Sequence, residues 1–190
     1  MDSFYTADEL QSLGLKAYGE NVKISRKASL YGAGNIEIGH DVRIDDFCIL
    51  SGKIKLCHYI HIAAQSLLFG GNTGVTMENF SGLSSRCAIY AESDDYSGNF
   101  LSNAACPAQY RSIQQGKVLI GQYAIIGSGV TVLPGVNIAE GAAIGAMSLV
   151  LRDAPPWTIN AGIPCRVIKA RSKKAIELGQ TVLQHLTGEH

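Results

Sequence analysis

Two places in the sequence combine residue types that could move a proton or hold a polar ligand. The first is His61 in the stretch "HYIHIAA", directly before Ile62. Ile62 occupies an apolar position of a six-residue repeat, so we expect His61 to lie at a corner of the fold and to face outward. An imidazole titrates near neutral pH, which suits a general base. A surface histidine without a chemical role is the competing interpretation.

The second place is the acidic pair Asp94 and Asp95 in "AESDDYSGNF". Neighbouring carboxylates can raise each other's pKa, and one of them could then serve as a base. They could equally hold the hydroxyl or amino groups of a ligand, together with Tyr96 and Asn99. The alternative is a solvated cluster of loop acids.

A third constellation tests for a metal site. His40 and His58 are 18 residues apart, in "IGHDV" and "LCHYI". If 18 residues form one full coil of the chain, the two rings stack. Zinc needs three or four ligands, and no convincing third one follows, because His61 faces a different corner and His185 and His190 lie in the tail. We therefore predict stacked turn residues and no metal.

The elements that must position these residues follow from a period of six. From residue 120 to 150 an aliphatic residue returns at every sixth position: Ile120, Ile126, Val132, Ile138, Ile144 and Val150. This period fits neither a helix nor a single strand. Three short strands of six residues close a triangular coil, and stacked coils bury the first and fifth residue of each six. The sequence therefore predicts a parallel β-helix, with a second block of the repeat at 38–68, a weaker one at 77–89 and a partial first coil at 22–30.

The repeat is interrupted from about residue 90 to 118. This segment is polar and lacks the rhythm of six. Insertions of this length in a regular solenoid are usually functional or disordered. Because the segment contains Tyr96, Phe100 and Tyr110, we expect an ordered loop that reaches a neighbouring molecule.

Both ends of the chain predict helices. Thr6 and Glu9 have the spacing of a capping box, and "SKKAIELGQTVLQHL" places apolar residues at helical spacing. The predicted organisation is a helical segment at 1–20, a β-helix domain at 21–165 with the 90–118 loop, and a basic segment with a helix at 166–190.

Composition narrows the class of protein. The 190 residues have a formal net charge of zero, so we expect no nucleic-acid partner. The longest apolar stretches stay well below the roughly 18 residues of a membrane span, and the start of the chain does not resemble a signal peptide. Five cysteines without CxxC spacing indicate reduced thiols in a cytoplasmic protein.

The rhythm of six, the long loop and the stretch "PPWTINAGIPCRVIKARSKK" after the last coil together resemble the left-handed β-helix acyltransferases. The closer likeness is to sugar acetyltransferases of the galactoside, maltose and nucleotide-sugar or O-antigen type. The resemblance covers residues 20–171. It implies a left-handed coil, a homotrimer with active sites between subunits, and acetyl-CoA lying along the outside of the coils.

The resemblance also implies which residues contact acetyl-CoA. These residues match family stretches in "IIGSGV", "IGAMSLV" and "GIPCRVIK" and are Ser128, Gly145, Ala146, Gly162, Pro164, Arg166 and Lys169. The resemblance places Arg166 and Lys169 near the nucleotide phosphates. Lys169 stands where some relatives carry Arg, and both residue types can meet a phosphate. The alternatives are ordinary turn residues and a solvated basic helix face after residue 165.

The resemblance implies transfer of an acetyl group to a sugar. Such a reaction needs a base that takes the proton of the attacking group. Many O-acetyltransferases of this fold carry a His where the long loop begins, and this chain has Asp94 near that place. Related nucleotide-sugar N-acetyltransferases contain a short stretch of sequence similar to the one around His61. Backbone amides of the coil turns are expected to polarise the thioester carbonyl.

We therefore expect acetylation of a nucleotide-linked amino-deoxysugar, an O-antigen or capsule precursor. His61 is the expected base or acceptor-orienting residue, and Asp94 is the alternative base. Asp94, Asp95, Tyr96 and Asn99 are the expected acceptor-binding residues. A sugar O-acetyltransferase, a zinc enzyme resembling γ-carbonic anhydrases and a non-catalytic β-helix binding module are the alternatives.

Overall fold

A computed structural model describes residues 3–187, with side chains through residue 183. Residues 1, 2 and 188–190 of the predicted end segments, His190 among them, lie outside the described part. Helix α1 covers Ala7–Ser12 and helix α2 covers Lys174–Thr187. The strands between them form stacked triangular coils, each with three flat faces.

Along each coil the chain passes through the three faces in a fixed order. Face 1 contains β1 (Ala17–Tyr18), β4 (Ile36–Ile38), the second halves of β6 (Ile49–Leu56) and β8 (Leu67–Met77), β13 (Val118–Ile120) and β16 (Asn137–Ile138). Face 2 contains β2 (Lys23–Ile24), β5 (Arg43–Ile44), β7 (His61–Ile62), β9 (Gly82–Leu83), β14 (Ile125–Ile126), β17 (Ala143–Ile144) and β19 (Thr158–Ala161). Face 3 contains β3 (Ser29–Tyr31), the first halves of β6 and β8, β10 (Ala88–Tyr90), β15 (Thr131–Val132) and β18 (Leu149–Val150).

Each coil strand pairs in parallel with the strand one coil away, as Arg43 with His61 and His61 with Gly82 on face 2. The predicted parallel β-helix is therefore confirmed, and its left hand stays a prediction from the resemblance. We refer to the edges as corner 1–2, corner 2–3 and corner 3–1, after the faces that meet there.

The core is the aliphatic column that the repeat predicts. Every first and fifth position of the repeat from residue 120 to 150 is buried, from Ile120 and Ala124 through Ser148 and Val150. The same holds for the block from Ile38 to Leu68. Burying a side chain of this size contributes about 1.5–3 kcal/mol relative to leaving it in water, so the column stabilises the stack along its whole length.

The N-terminal end differs from the prediction of a first coil at residue 22. The predicted capping box is present, since Thr6 Oγ1 accepts from the Glu9 amide at 3.4 Å and Glu9 Oε2 from the Thr6 amide at 2.8 Å. The helix ends at Ser12, however, and β1 already pairs with β4. Both residues of β1 are exposed, so this strand has no buried position by which the repeat could reveal it.

The C-terminal end of the chain also differs from one interpretation of its sequence, the solvated basic helix face after residue 165. Arg166–Ala170 is strand β20, which pairs antiparallel with β19, so the alternative of a basic helix face is wrong for these residues. Helix α2 follows. Arg171 donates from Nη1 to the carbonyl oxygens of Tyr123 and Gly141, both at 2.9 Å, and fixes the chain between β20 and α2 to corner 1–2.

The long insertion leaves the coil at corner 3–1. At its base, β11 (Glu92–Asp94) and β12 (Ile113–Gln115) form an antiparallel hairpin. The hairpin is tied to the preceding coil, because the Asn72 amide donates to Glu92 Oε1 at 2.7 Å. The insertion is therefore an ordered excursion, as predicted. Within residues 3–187, neither α-helix has the length and apolar character required to cross a bilayer.

Candidate active site

Corner 2–3 collects most of the residues predicted to contact the acyl donor. From the coil of His61 onward it is formed by small residues in every coil, at 63–64, 84–85, 127–128, 145–146 and 161–162. Ser128, Gly145, Ala146 and Gly162 thus lie in one column along the stack, which small side chains leave accessible. Pro164 follows in the turn that closes the last coil at this corner.

The corner presents backbone donors without partners. The N–H groups of Ser85, Ser128 and Ala146 donate no hydrogen bond to any described residue. They sit at equivalent places in successive coils, because Met147 N donates to Ser128 O and Gly129 N to Ser85 O. A row of free amides on an accessible edge can bind carbonyl oxygens of an extended ligand or an oxyanion.

Gly145 and its neighbour Ala146 have different structural roles. Its N–H donates to Asn160 O at 2.7 Å, and its carbonyl oxygen accepts from Ser148 Oγ at 2.7 Å. A Cβ at this position would lie 2.9 Å from Ala161 Cβ. Glycine is thus required for coil stacking, and Ala146 is the residue of the pair with a free N–H.

The last predicted donor contacts lie beyond the final turn of corner 2–3. Gly162 has a φ of +107°, which favours glycine, and its N–H donates to Ser148 Oγ at 3.0 Å. Arg166 and Lys169 follow in β20, where every residue is exposed. Neither forms an ion pair with a carboxylate in the described part of the chain, so both cations are available to an anion.

His61 lies on face 2, immediately before corner 2–3, and not in the turn itself. Its Nε2 is 2.8 Å from Asp45 Oδ2, and Arg43 Nε donates to Asp45 Oδ1 at 2.7 Å. Burial alone would raise the pKa of Asp45, but the hydrogen bonds from His61 and Arg43 hold it below its ordinary value. An ionised Asp45 orients the imidazole with Nε2–H toward the carboxylate and leaves Nδ1 free to accept a proton.

The histidine pair His40 and His58 stacks as predicted, with ring centroids 5.1 Å apart. His40 Nδ1 accepts from the Glu20 amide and His58 Nδ1 from the His40 amide, both at 3.0 Å. The next coil continues the series with Asn79, whose Oδ1 accepts from the His58 amide at 2.9 Å. These side chains therefore cap turn amides. No group of three or more potential ligands with metal-binding geometry occurs among the described residues.

In the excursion, Asp94 faces its own hairpin. Its Oδ1 is 3.4 Å from Arg111 Nη2, and its Oδ2 accepts from the Asn103 amide at 3.2 Å. The Nε of Arg111 is buried and has no partner. Asp94 keeps 37% of its side chain exposed, so its carboxylate can still reach a ligand.

The other predicted acceptor-binding residues have separate environments. Asp95 Oδ2 accepts from the amide and the hydroxyl of Ser97, at 3.1 and 2.6 Å, and so closes a local turn. Tyr96 is 88% exposed, and Asn99 is exposed as well. The carboxylates of the acidic pair therefore hold different parts of the excursion.

A single chain does not bring all predicted site residues together. His61 and the free amides lie at or beside corner 2–3, whereas Asp94, Asp95, Tyr96 and Asn99 lie on the excursion from corner 3–1. Face 3 separates the two groups.

Sequence reasoning missed Asp45 and Ser85. Asp45 could have been found by subtracting one coil of 18 residues from His61, which gives Arg43, and then noting a carboxylate two residues later. Ser85 stacks on Ser128, with the hydroxyl oxygens 3.4 Å apart. The excursion between these coils, which separates the two serines by 43 residues, hides that relation in the sequence.

Known proteins resemble this chain over most of its length. No protein-family model matches it. The dTDP-4-amino-4,6-dideoxy-D-glucose acyltransferase of Escherichia coli is 50% identical over 173 residues, which are 90% of each chain. The putative lipopolysaccharide biosynthesis O-acetyl transferase WbbJ of Escherichia coli K12 is 30% identical over 156 residues, 77% of this chain and 74% of that one.

Among solved structures, AntD, an N-acyltransferase from Bacillus cereus, superposes over almost the whole chain. Its S84C mutant in complex with dTDP-4-amino-4,6-dideoxyglucose and coenzyme A has a TM-score of 0.95 and 46% identity, and covers 97% of this chain and 99% of that one. AntD in complex with dTDP and 3-hydroxybutyryl-CoA has a TM-score of 0.96, with 98% and 100% covered. Its D94A mutant was solved with dTDP and coenzyme A.

These likenesses agree with the stacked coils of six-residue repeats. They favour group transfer over the carbonic-anhydrase and binding-module alternatives. Identity of 50% over nine tenths of both chains is the decisive observation. The chain is an acyltransferase that belongs to the hexapeptide-repeat sugar acyltransferases.

Proposed function

We propose that the enzyme transfers an acyl group from an acyl-CoA to the amino group of a dTDP-linked 4-amino-4,6-dideoxyhexose, as a step toward an O-antigen or capsule precursor. The observation that carries this proposal is the 50% identity to an acyltransferase of that specificity. The AntD complex with dTDP-4-amino-4,6-dideoxyglucose and coenzyme A supports the same pair of substrates.

In the proposed reaction the amine nitrogen attacks the thioester carbonyl, the carbon–sulfur bond breaks, and the CoA thiolate leaves and is protonated. The amine must lose a proton as the amide forms. We assign this proton to His61 Nδ1, because Asp45 holds Nε2–H at 2.8 Å. An amine that is already deprotonated attacks without a strong base, so His61 can act chiefly by orienting it.

The donor is proposed to lie along corner 2–3. The free N–H groups of Ser85, Ser128 and Ala146 suit the pantetheine amides and the oxyanion of the tetrahedral intermediate. Gly162 and Pro164 form the turn at the far end of the corner. Arg166 and Lys169 are exposed cations that suit the nucleotide phosphates.

Acceptor binding is assigned to the excursion. AntD structures carry changes at a serine and an aspartate that its numbering calls S84 and D94, and this chain has Ser84 and Asp94 at the same numbers. Ser84 lies at corner 2–3, one coil above Ala63. We propose that the Asp94 carboxylate binds the amino group, with Asp95 shaping the loop and Tyr96 and Asn99 as further contacts.

Because Asp94 and His61 lie at different corners, we propose a homotrimer in which the excursion of one subunit reaches corner 2–3 of the next. We also propose a cytoplasmic location. All five cysteines are free thiols, which fits a reducing compartment.

The donor is proposed to be acetyl-CoA, although AntD was solved with 3-hydroxybutyryl-CoA. The experiment is thiol release from acetyl-, 3-hydroxybutyryl- and longer acyl-CoA esters, with dTDP-linked 3-amino and 4-amino deoxysugars and simple glycosides as acceptors. Product mass spectrometry identifies the acylated group. Turnover with acetyl-CoA and the 4-amino sugar is expected, and preference for a longer ester would replace the acetyl assignment.

The second candidate is a sugar O-acetyltransferase, which the 30% identity to WbbJ favours. Products acylated only on hydroxyl groups would establish it. In that case the demand on His61 rises, since a hydroxyl is a much weaker nucleophile until its proton is removed.

A further inference from the structure

A concentration of lysines lies on face 1, away from corner 2–3. A cavity of about 430 Å³ is lined there by four lysines and one carboxylate: Lys16, Lys53, Lys55, Lys117 and Glu37. Counting these side chains gives four positive charges and one negative charge, a local excess of three. The whole chain balances 16 basic against 16 acidic residues, so this excess is a local feature.

The coil register arranges part of this cavity as a slot. Ile54, Val75 and Val118 are paired neighbours on face 1. The residues directly before them are Lys53, Gly74 and Lys117. The register is irregular at this point, because residues 72–74 of β8 lie opposite Lys53 alone. With strands about 4.8 Å apart, the Cα atoms of Ile54 and Val118, which the two lysines directly precede, are roughly 10 Å apart.

Gly74, in the middle of this slot, is buried beneath the Lys53 side chain. Its φ is +97°, and a Cβ built there would lie 3.4 Å from Lys53 Cγ and 3.5 Å from Lys53 Cδ. The Lys53 side chain thus leans over the glycine. We call the surface made by Lys53, Gly74, Lys117 and Lys55 the basic slot.

The positive charge of the basic slot is not neutralised by the protein. Glu37 pairs with Lys16 at 2.6 Å. That hydrogen bond, and the charges of Lys55 and Lys53, hold the pKa of Glu37 below its ordinary value. Lys53, Lys55 and Lys117 form no ion pair within the described residues, so these three ammonium groups share one cavity whose single carboxylate, Glu37, is already paired with Lys16.

A diphosphate fits this arrangement better than a singly charged anion. One carboxylate would leave two of the three cations unpaired, whereas a diphosphate offers at least two charges and several acceptor oxygens. Lysine side chains are long enough to converge on such a group from Cα atoms roughly 10 Å apart. The Thr76 side chain, half-buried beside Lys55, adds a hydroxyl donor.

We propose that the basic slot binds the diphosphate group of a nucleotide. The acceptor is the favoured source, because the slot adjoins the base of the excursion: Thr73, which lines the cavity, donates from Oγ1 to Ala91 O at 3.2 Å. Three residues later the chain reaches Asp94. Naming the acceptor rests on the proposed function, whereas the affinity for diphosphate rests on the slot alone.

The test is calorimetric titration of the full-length chain with inorganic pyrophosphate, dTDP and coenzyme A at constant ionic strength. The variants are Lys53→Ala, Lys117→Ala and the double variant. The control is Lys23→Ala, which removes an exposed lysine from face 2. All sites are on the surface, and melting temperatures establish that each variant is folded.

The double variant is expected to bind pyrophosphate and dTDP at least about tenfold more weakly, since two charge-assisted contacts are lost, and to retain coenzyme A affinity. Lys23→Ala should match the wild type. Loss of coenzyme A binding with dTDP binding retained would support the slot with the acyl donor as its source. Affinities for all three ligands within twofold of wild type, or no binding by the wild type, would overturn the proposal. Pyrophosphate binding that needs both lysines, in a protein that acylates no sugar, would refute the function and not the slot.

Discussion

The chemistry at the level of single residues depends on how a neighbour constrains each functional group. His61 alone is a half-exposed imidazole, with 52% of its side chain accessible. Asp45 gives it a fixed orientation, and Arg43 gives Asp45 a second contact. In the same way, Asp94 is held by Arg111 and the Asn103 amide, while Asp95 serves a turn. The adjacent carboxylates of Asp94 and Asp95 therefore have different structural roles.

His61→Ala is expected to lower turnover about 10²- to 10⁴-fold, because the proton acceptor is lost, and to leave the melting temperature close to wild type. Asp45→Asn should lower kcat less, since it misorients the imidazole without removing it. His58→Asn is the matched control, as Asn79 shows that an amide can cap the same type of turn. Steady-state kinetics with the amino-sugar acceptor measure all three. Normal turnover in His61→Ala would move the base to Asp94.

Asp94→Asn is expected to reduce kcat/KM for the amino sugar about 10²-fold or more, because an amide cannot attract an ammonium group as a carboxylate does. Asn can still accept from the Asn103 amide, so the excursion should keep its shape. Glu140→Gln, which removes an exposed carboxylate from corner 1–2, is the control. Equal kinetics for both variants would remove Asp94 from the site.

The elements show which parts of the structure the sequence can predict. The inward positions of the coils were predictable, because a buried column imposes an aliphatic residue at a fixed period. Strands β1 and β20 were not, because all of their residues are exposed and leave no hydrophobic pattern. The free amides of Ser85, Ser128 and Ala146 follow from the turn conformation, which side-chain identity does not determine. The relation between His61 and Asp45 needed the coil register as well as the repeat.

Helix α1 provides a prediction for acidic pH. Hydrogen bonds from both terminal nitrogens of Arg26, each at 2.6 Å, and from the Thr6 amide lower the pKa of Glu9 from 4.5 to about 2. The folded state therefore binds this proton less readily than the unfolded state. The contribution to stability is complete above about pH 4.5 and is lost as the pH falls toward 2.

Melting temperatures of wild type and Glu9→Gln as a function of pH test this. The variant should melt lower than wild type at pH 7, and the difference should shrink between pH 4.5 and 2. Asp8→Asn, in the same helical turn, controls for loss of charge near the helix N-terminus. A difference that is independent of pH would contradict the assignment.

The whole molecule has one face that differs from the others in its outward side chains. Face 3 presents Ile49, Leu67, Ala88 and Leu149, with Ser29 and Thr131 as the polar members of the same row. Phe69 stacks on Tyr90 with ring centroids 5.3 Å apart. Face 1 presents mainly polar and charged residues at the equivalent positions. An apolar face between the two corners that carry the proposed site residues suits contact between subunits.

Leu67→Glu is therefore expected to convert the proposed trimer into single chains of 20.2 kDa, because a charge cannot be buried in an apolar contact without a partner. Leu119→Glu, on face 1, should remain trimeric. Sedimentation equilibrium measures the mass, and acyl transfer should disappear with the trimer. A trimeric Leu67→Glu protein would place the contact on another face.

The free amides at corner 2–3 recur once per coil, so they are evenly spaced along this edge. From the coil of His61 to that of Ala146 there are three steps, roughly 14 Å. A donor held at its nucleotide end would deliver its reactive end at a distance set by the number of intervening coils. Deleting one coil would shift the reactive end by one coil spacing, about 4.8 Å, without altering any contact at either end. For a donor bound there as proposed, the number of coils would set the distance between its two ends.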